Sequence, residues 1–199
     1  NQLKPVYETS WGMTTRMIGA LIMVHGDDSG LKLPPKIAPT QICIVPIQQK
    51  KEGVLDKAYE LRDQLRKSGF RVKVDDGDKS PGFKFADCEV RGIPLRIEVG
   101  PKDIEAGHAV LVRRDTREKI QVSFDELAEE TGKLLEQIQQ DMYDRAKTFL
   151  EEHTSSATNM DELVDIVNTK RGFVKAMWCG CRECEDKLKE MSGITSRCI

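Results

Sequence analysis

The chain has 199 residues, 39% hydrophobic and 32% charged, with 31 Lys and Arg against 33 Asp and Glu for a formal charge of -2. That balance excludes a polycation, so any nucleic-acid contact has to come from a local patch. No apolar run approaches the roughly 20 residues that span a bilayer, no signal-peptide pattern opens the chain, and no membrane partner is expected. Six cysteines, four of them from Cys179 onward, are not distributed as a disulfide framework, so a reducing, cytoplasmic setting is expected. The chain begins Asn-Gln-Leu-Lys-Pro and ends inside a cysteine cluster. Both ends read as cuts in a longer protein.

The first predicted element is a helix in GMTTRMIGALIMVHGDDSG, residues 12–30. From 17 to 24 it is apolar all round, which predicts a buried core helix. Thr14 and Thr15 are its candidate N-caps. Arg16 stands at its mouth with no acid beside it. A helix N-terminus already carries about half a positive charge, so an added guanidinium there suits an anion, phosphate foremost. The alternative is an interface arginine paired with an acid elsewhere. His25, alone at the helix end, reads as structural. Pro34, Pro35 and Pro39 then mark a boundary.

A second unit alternates strands and helices, which argues an α/β fold. Residues 41–47 read as a buried strand, and Cys43 as a core residue. Residues 52–67 read as a helix with Leu55, Ala58, Leu61 and Leu65 at helical spacing, stopped by Gly69. Residues 70–74 alternate as a strand, 83–90 form a short helix, and 93–99 alternate again. Residues 109–113 and 119–122 bracket a hairpin. Ser123 and Glu126 form a capping box that opens a helix to about residue 152, with Leu127, Leu134, Ile138, Met142, Ala146, Phe149 and Leu150 on one face. A polar linker at 153–158 leads to a helix capped by Asn159, a strand near 172–178 and a helix over 183–192.

Three groups carry chemistry. Pro81-Gly82 turns the chain and presents Lys84, while Arg96 and Glu98 share the strand face opposite Leu95 and Ile97. Mixed donors and acceptors of this kind suit the exposed edges of single-stranded bases; the alternative is a solvated face whose charges stabilise one another. Arg113-Arg114 beside the hairpin could touch backbone phosphate, although a charge pair at a turn is usually just solvated. Cys179-Gly-Cys-Arg-Glu-Cys184 has the density of thiols that favours tetrahedral zinc. Three ligands do not close such a site; Cys198 could supply a fourth, and surface thiols remain the alternative.

Ser10-Trp-Gly-Met-Thr-Thr-Arg-Met-Ile-Gly19 resembles the third signature motif of class II aminoacyl-tRNA synthetases. With Met23-Val-His-Gly-Asp-Asp28 and Leu33-Pro-Pro35 it resembles, more narrowly, the prolyl-tRNA synthetases of the archaeal and eukaryotic type. The likeness covers essentially the whole chain, for Ser80-Pro-Gly-Phe-Lys-Phe85, Cys88-Glu-Val-Arg-Gly-Ile-Pro94 and Glu98-Val-Gly-Pro-Lys-Asp103 are similar to the family's anticodon-binding domain. It implies three parts: residues 1–38 as the end of a catalytic domain, 39–130 as a mixed-sheet anticodon-binding domain, and 131–199 as a small α/β zinc-type domain. It implies that Arg16 contacts ATP phosphates beside magnesium, that Thr14 lies by the nucleotide, and that Ser10, Trp11 and Gly12 line the proline and adenylate pocket. Lys84, Glu89, Arg91, Glu98 and Lys102 become the candidate anticodon contacts. A guanine-rich proline anticodon offers donors that a Glu accepts and acceptors that Lys or Arg satisfies. Cys179 and Cys184 match the first two zinc ligands, with a further pair downstream and Cys181 and Cys198 as bystanders.

The implied reaction is ATP-dependent activation of proline to prolyl-adenylate and its transfer to tRNA(Pro), by a homodimer as full-length protein. The first and second signature motifs lie upstream of residue 1 on this reading, so the chain alone is expected not to activate proline. The rival readings are a non-catalytic RNA-binding module with the same middle fold, and a threonyl- or glycyl-tRNA synthetase relative.

Overall fold

The computed structural model describes residues 4, 6–170 and 172–197. The chain divides into two compact units, one through Met142 and one from Tyr143.

The first unit opens with α1 (Arg16–His25). It then runs β1 (Ile42–Pro46), α2 (Val54–Lys67), β2 (Val72–Val74), α3 (Pro81–Val90), β3 (Leu95–Val99), α4 (Pro101–Ala106), β4 (His108–Arg113), β5 (Lys119–Ser123) and α5 (Leu127–Glu152). The sheet order is β2-β1-β3-β4-β5. β1 pairs in parallel with both β2 and β3, whereas β3–β4 and β4–β5 are antiparallel. β1 is an interior strand, buried at every position, which is why its sequence is continuously apolar instead of alternating. α2 buries Val54, Ala58, Leu61 and Leu65. Ala58, Leu61 and Leu65 pack with Ile42, Ile44, Leu95, Ile97 and Leu111 of the sheet and with Leu135, Ile138 and Met142 of α5 in one core.

Four local expectations need correction. The apolar helix forms as α1, but none of its residues is buried, and Met23 is 82% exposed. Hydropathy says that such a surface asks for cover; it does not say which residues supply it. α3 starts at Pro81, two residues before the predicted start, because Ser80 caps it by accepting from the Phe83 N–H at 3.4 Å and proline suits the first helical position. α4 was not predicted. Its signals are local: Pro101 at the start, Asp103 accepting from the Gly100 N–H at 2.8 Å, and Gly107 at φ 75° as the left-handed stop. The Ser123–Glu126 pair closes a turn one step ahead of α5. Along α5 the buried stripe is Leu127, Thr131, Leu135, Ile138 and Met142, whereas Phe149 and Leu150 are exposed.

The second unit takes the end of α5, then β6 (Thr154–Ser156), α6 (Met160–Thr169), β7 (Phe173–Lys175) and α7 (Arg182–Ser192). The division between the units thus lies inside α5, while the sequence reading set its boundary after residue 130. Part of the expected polar linker is β6, paired in parallel with β7. Asn159 caps α6 by accepting from the Glu162 N–H at 2.9 Å, as expected.

Candidate nucleic-acid interface

At the mouth of α1, the Arg16 N–H donates to the Thr14 hydroxyl at 3.3 Å. Among the described residues no carboxylate lies within ion-pair distance of the Arg16 side chain. Ser10, Trp11, Gly12 and Arg16 are all exposed, Trp11 to 94%. The structure therefore leaves the guanidinium available to an anion, but it does not gather these residues into a pocket.

The second cluster lies between α3 and β3. Arg96, 7% exposed, is gripped from both sides. Its Nε and Nη2 donate to Glu98 Oε1 at 3.0 and 2.9 Å, and Nη1 lies 3.5 Å from Glu89 Oε1. The guanidinium sits 4.2 Å from the Phe85 ring centroid, within cation–π range. Lys119 Nζ approaches the other Glu98 oxygen at 3.5 Å. Glu89 and Glu98, nine positions apart in sequence, are thus brought together through Arg96, with an aromatic face below. The strand pattern placed Arg96 and Glu98 on one face; that Glu89 and Phe85 reach them from α3 was not legible.

The remaining anticodon candidates are placed differently. Lys84 is 2% exposed, so the expectation that the Pro81-Gly82 turn presents it outward is corrected. The early helix start sets Lys84 one turn from buried Cys88 on the inward face. Its Nζ donates to Gln49 Oε1 and to the Asp75 carbonyl, both at 2.8 Å. It ties the loop after β1 to the loop after β2. Arg91 is exposed, and its Nε donates to Asp87 Oδ2 at 2.7 Å. Lys102 is exposed in the first turn of α4, with no ion pair among the described residues.

Arg113 and Arg114 overturn the picture of a solvated pair. They are 6% and 5% exposed. Arg113 forms a two-pronged pair with Asp115 at 3.0 and 2.8 Å and reaches Asp141 at 2.5 Å. Arg114 makes a fork on Asp27 at 2.6 and 3.1 Å, and its Nε donates to the Glu89 carbonyl at 3.0 Å. The Arg114 guanidinium, with help from Lys32 at 3.0 Å, holds the Asp27 carboxyl well below the usual carboxylate range.

In the second unit Cys179, Cys181 and Cys184 are exposed. A backbone hydrogen bond from Cys181 and the neighbouring Cys184 thiol draw the Cys179 thiol below its ordinary value, while Cys179 in turn raises Cys184. Among the described residues no group of three or more His, Cys, Asp or Glu is arranged to hold a metal. Cys198 lies outside the described residues. Cys43 is buried, as expected, next to Cys88 in a small cluster with Val45 and Ile93.

This architecture has counterparts among known proteins. Residues 41–134 match the family model of the anticodon binding domain, and residues 160–199 match that of the prolyl-tRNA synthetase C-terminal region. The whole chain is 63% identical to a proline–tRNA ligase of Lachnoclostridium phytofermentans, 61% to that of Lachnospira eligens and 60% to that of Clostridium novyi. Along its whole length the chain is similar to one part of the proline–tRNA ligases. It spans about two fifths of the length of these curated relatives, 41%, 42% and 41% respectively. The mixed sheet and the Glu89–Arg96–Glu98 cluster lie inside the segment matched to the anticodon binding domain. Among the described residues no helix is long and apolar enough to cross a membrane.

Proposed function

We propose that the full-length protein attaches proline to tRNA(Pro) in the cytosol, through ATP-dependent formation of prolyl-adenylate, and that this chain supplies its anticodon-reading surface. The observation that carries the reading is the Arg96-bridged pair of carboxylates, Glu89 and Glu98, set over the Phe85 ring within a domain matched to the anticodon-binding family. A carboxylate accepts from the N–H groups of guanine, and a guanidinium donates to its acceptor edge. An aromatic ring and a guanidinium plane both offer stacking to an unpaired base. Arg91 and Lys102 are exposed cations available to the same RNA. Lys84 acts through the loops it ties together.

In the activation step the proline carboxylate attacks the α-phosphate of ATP. The chain's contribution is charge placed in advance, Arg16 at a helix N-terminus beside Thr14, so that the triphosphate meets a fixed cation. Ser10, Trp11 and Gly12 complete the amino-acid side of that pocket once the rest of the catalytic domain is present. Magnesium would neutralise phosphate charge when bound with ATP; the described residues offer it no carboxylate cage. The thiols of Cys179 and Cys184 fit half of a tetrahedral zinc set, and zinc there would brace the second unit. The full-length enzyme is a homodimer on this reading.

The test is steady-state aminoacylation by the full-length protein. Glu89→Gln should reduce kcat/KM for tRNA(Pro) by about tenfold, the worth of one good base contact, while leaving proline-dependent ATP–pyrophosphate exchange unchanged. Equal loss in both assays would remove Glu89 from the RNA surface. The chain alone should show no such exchange, because Arg16 and Thr14 are only part of the ATP site.

A further inference from the structure

The Asp27–Arg114 pair has no role in the reading above, yet it touches the base-reading cluster through the backbone. The last carbonyls of a helix lack partners within the helix and have to be satisfied from outside. In α3 those carbonyls include Glu89 and Val90. The Glu89 carbonyl accepts from Arg114 Nε and from the Gly92 N–H, both at 3.0 Å, and the Val90 carbonyl accepts from the Leu31 N–H at 3.1 Å. Arg114 is in turn oriented by the two-pronged pair with Asp27, which follows α1 by two residues. Leu33 N–H continues the seam to the Gly92 carbonyl at 3.1 Å. The approach is tight: a Cβ on Gly30 would lie 2.5 Å from the Val90 Cα. The segment after α1 therefore caps the helix end from which the Glu89 carboxylate reaches Arg96.

We propose that Asp27 and Arg114 are positioning residues for anticodon discrimination: Asp27 fixes the Arg114 fork, and the fork fixes the end of α3 and with it the Glu89 carboxylate. The inference rests on the reading of Glu89 as a base contact. A fork of this geometry is specific to arginine, since an ammonium cannot hold Asp27 with two parallel bonds and the Glu89 carbonyl with a third in one plane.

The test compares aminoacylation of tRNA(Pro) transcript with that of a transcript whose anticodon guanine is replaced by adenine, using full-length protein. The readout is the ratio of the two kcat/KM values, which does not depend on the active fraction, alongside tRNA-independent pyrophosphate exchange. Asp27→Asn and Arg114→Lys should each lower the ratio about tenfold, the scale of one hydrogen bond to a charged group, with exchange unchanged. A ratio unmoved in both variants, while Glu89→Gln lowers it, would overturn the inference and leave the base-reading role of Glu89 standing. The same holds if both transcripts and exchange fall together. A ratio unmoved even by Glu89→Gln would overturn the reading of Glu89 itself, and the inference with it.

Discussion

Arg113 and Arg114 are neighbours in sequence that serve opposite ends of the first unit. Arg113 binds Asp115 and Asp141 of α5, and Arg114 binds Asp27 after α1. Removing one member of a buried pair strands the other charge, which is more costly than never having had the pair. Arg113→Ala should therefore destabilise the unit by about 3 kcal/mol, seen as a lower urea midpoint with an unchanged slope. An unchanged midpoint would mean that the pair is solvated after all. The pH response of Asp27 follows from its depressed carboxyl. A carboxyl that titrates lower in the fold than in the unfolded chain adds stability that is complete above the ordinary value, 3.8, and is lost as pH falls below it. Asp27→Asn should flatten the acid limb of a stability-against-pH curve and leave its neutral-to-alkaline limb with the same shape. An acid limb as steep as that of the parent would contradict the pairing.

At the scale of elements, two substitutions probe packing that the sequence only hinted at. Gly92 has φ 68°, and a Cβ there would lie 2.6 Å from the Leu31 Cβ. Gly92→Ala should cost at least about 1–2 kcal/mol from the backbone conformation alone, read by thermal unfolding, with the clash against Leu31 adding to it. Thr131 is fully buried in α5, and its hydroxyl has no hydrogen-bond partner among the described residues. Thr131→Val keeps the shape and removes the unsatisfied group, so it should leave the unit as stable or raise it by about 1 kcal/mol; a clear loss would point to a partner for that hydroxyl. Both sites show what a local reading can and cannot reach. Strand β1 was legible because it is buried on both faces, and α2 because Ala58, Leu61 and Leu65 recur at helical spacing, although the fourth buried residue is Val54 and not the expected Leu55. The direction of Lys84 was not, since it turned on whether the helix began at Pro81 or at Phe83. The Asp27–Arg114 pair was not either, because periodicity reports which face of an element is covered and never which distant residue covers it. For the candidate site, the strand alternation named Arg96 and Glu98 and the resemblance added Glu89, but that Arg96 joins the two carboxylates emerged only from the fold.

For the whole molecule, the exposed apolar side chains of α1 and the exposed Trp11 belong to the stretch expected to face ATP and proline. Resemblance names those residues, but the surface that would complete their pocket is not among the described residues. The mixed sheet is the part that stands by itself, with a continuous core and a built charge cluster, and it carries the central claim. That claim is tested most directly by titrating the chain with labelled tRNA(Pro) transcript at fixed salt and repeating the titration with the anticodon guanines replaced by adenine. Each replacement should weaken Kd by about tenfold, the scale of one lost base contact. Equal affinity for the native and the replaced anticodons would contradict it.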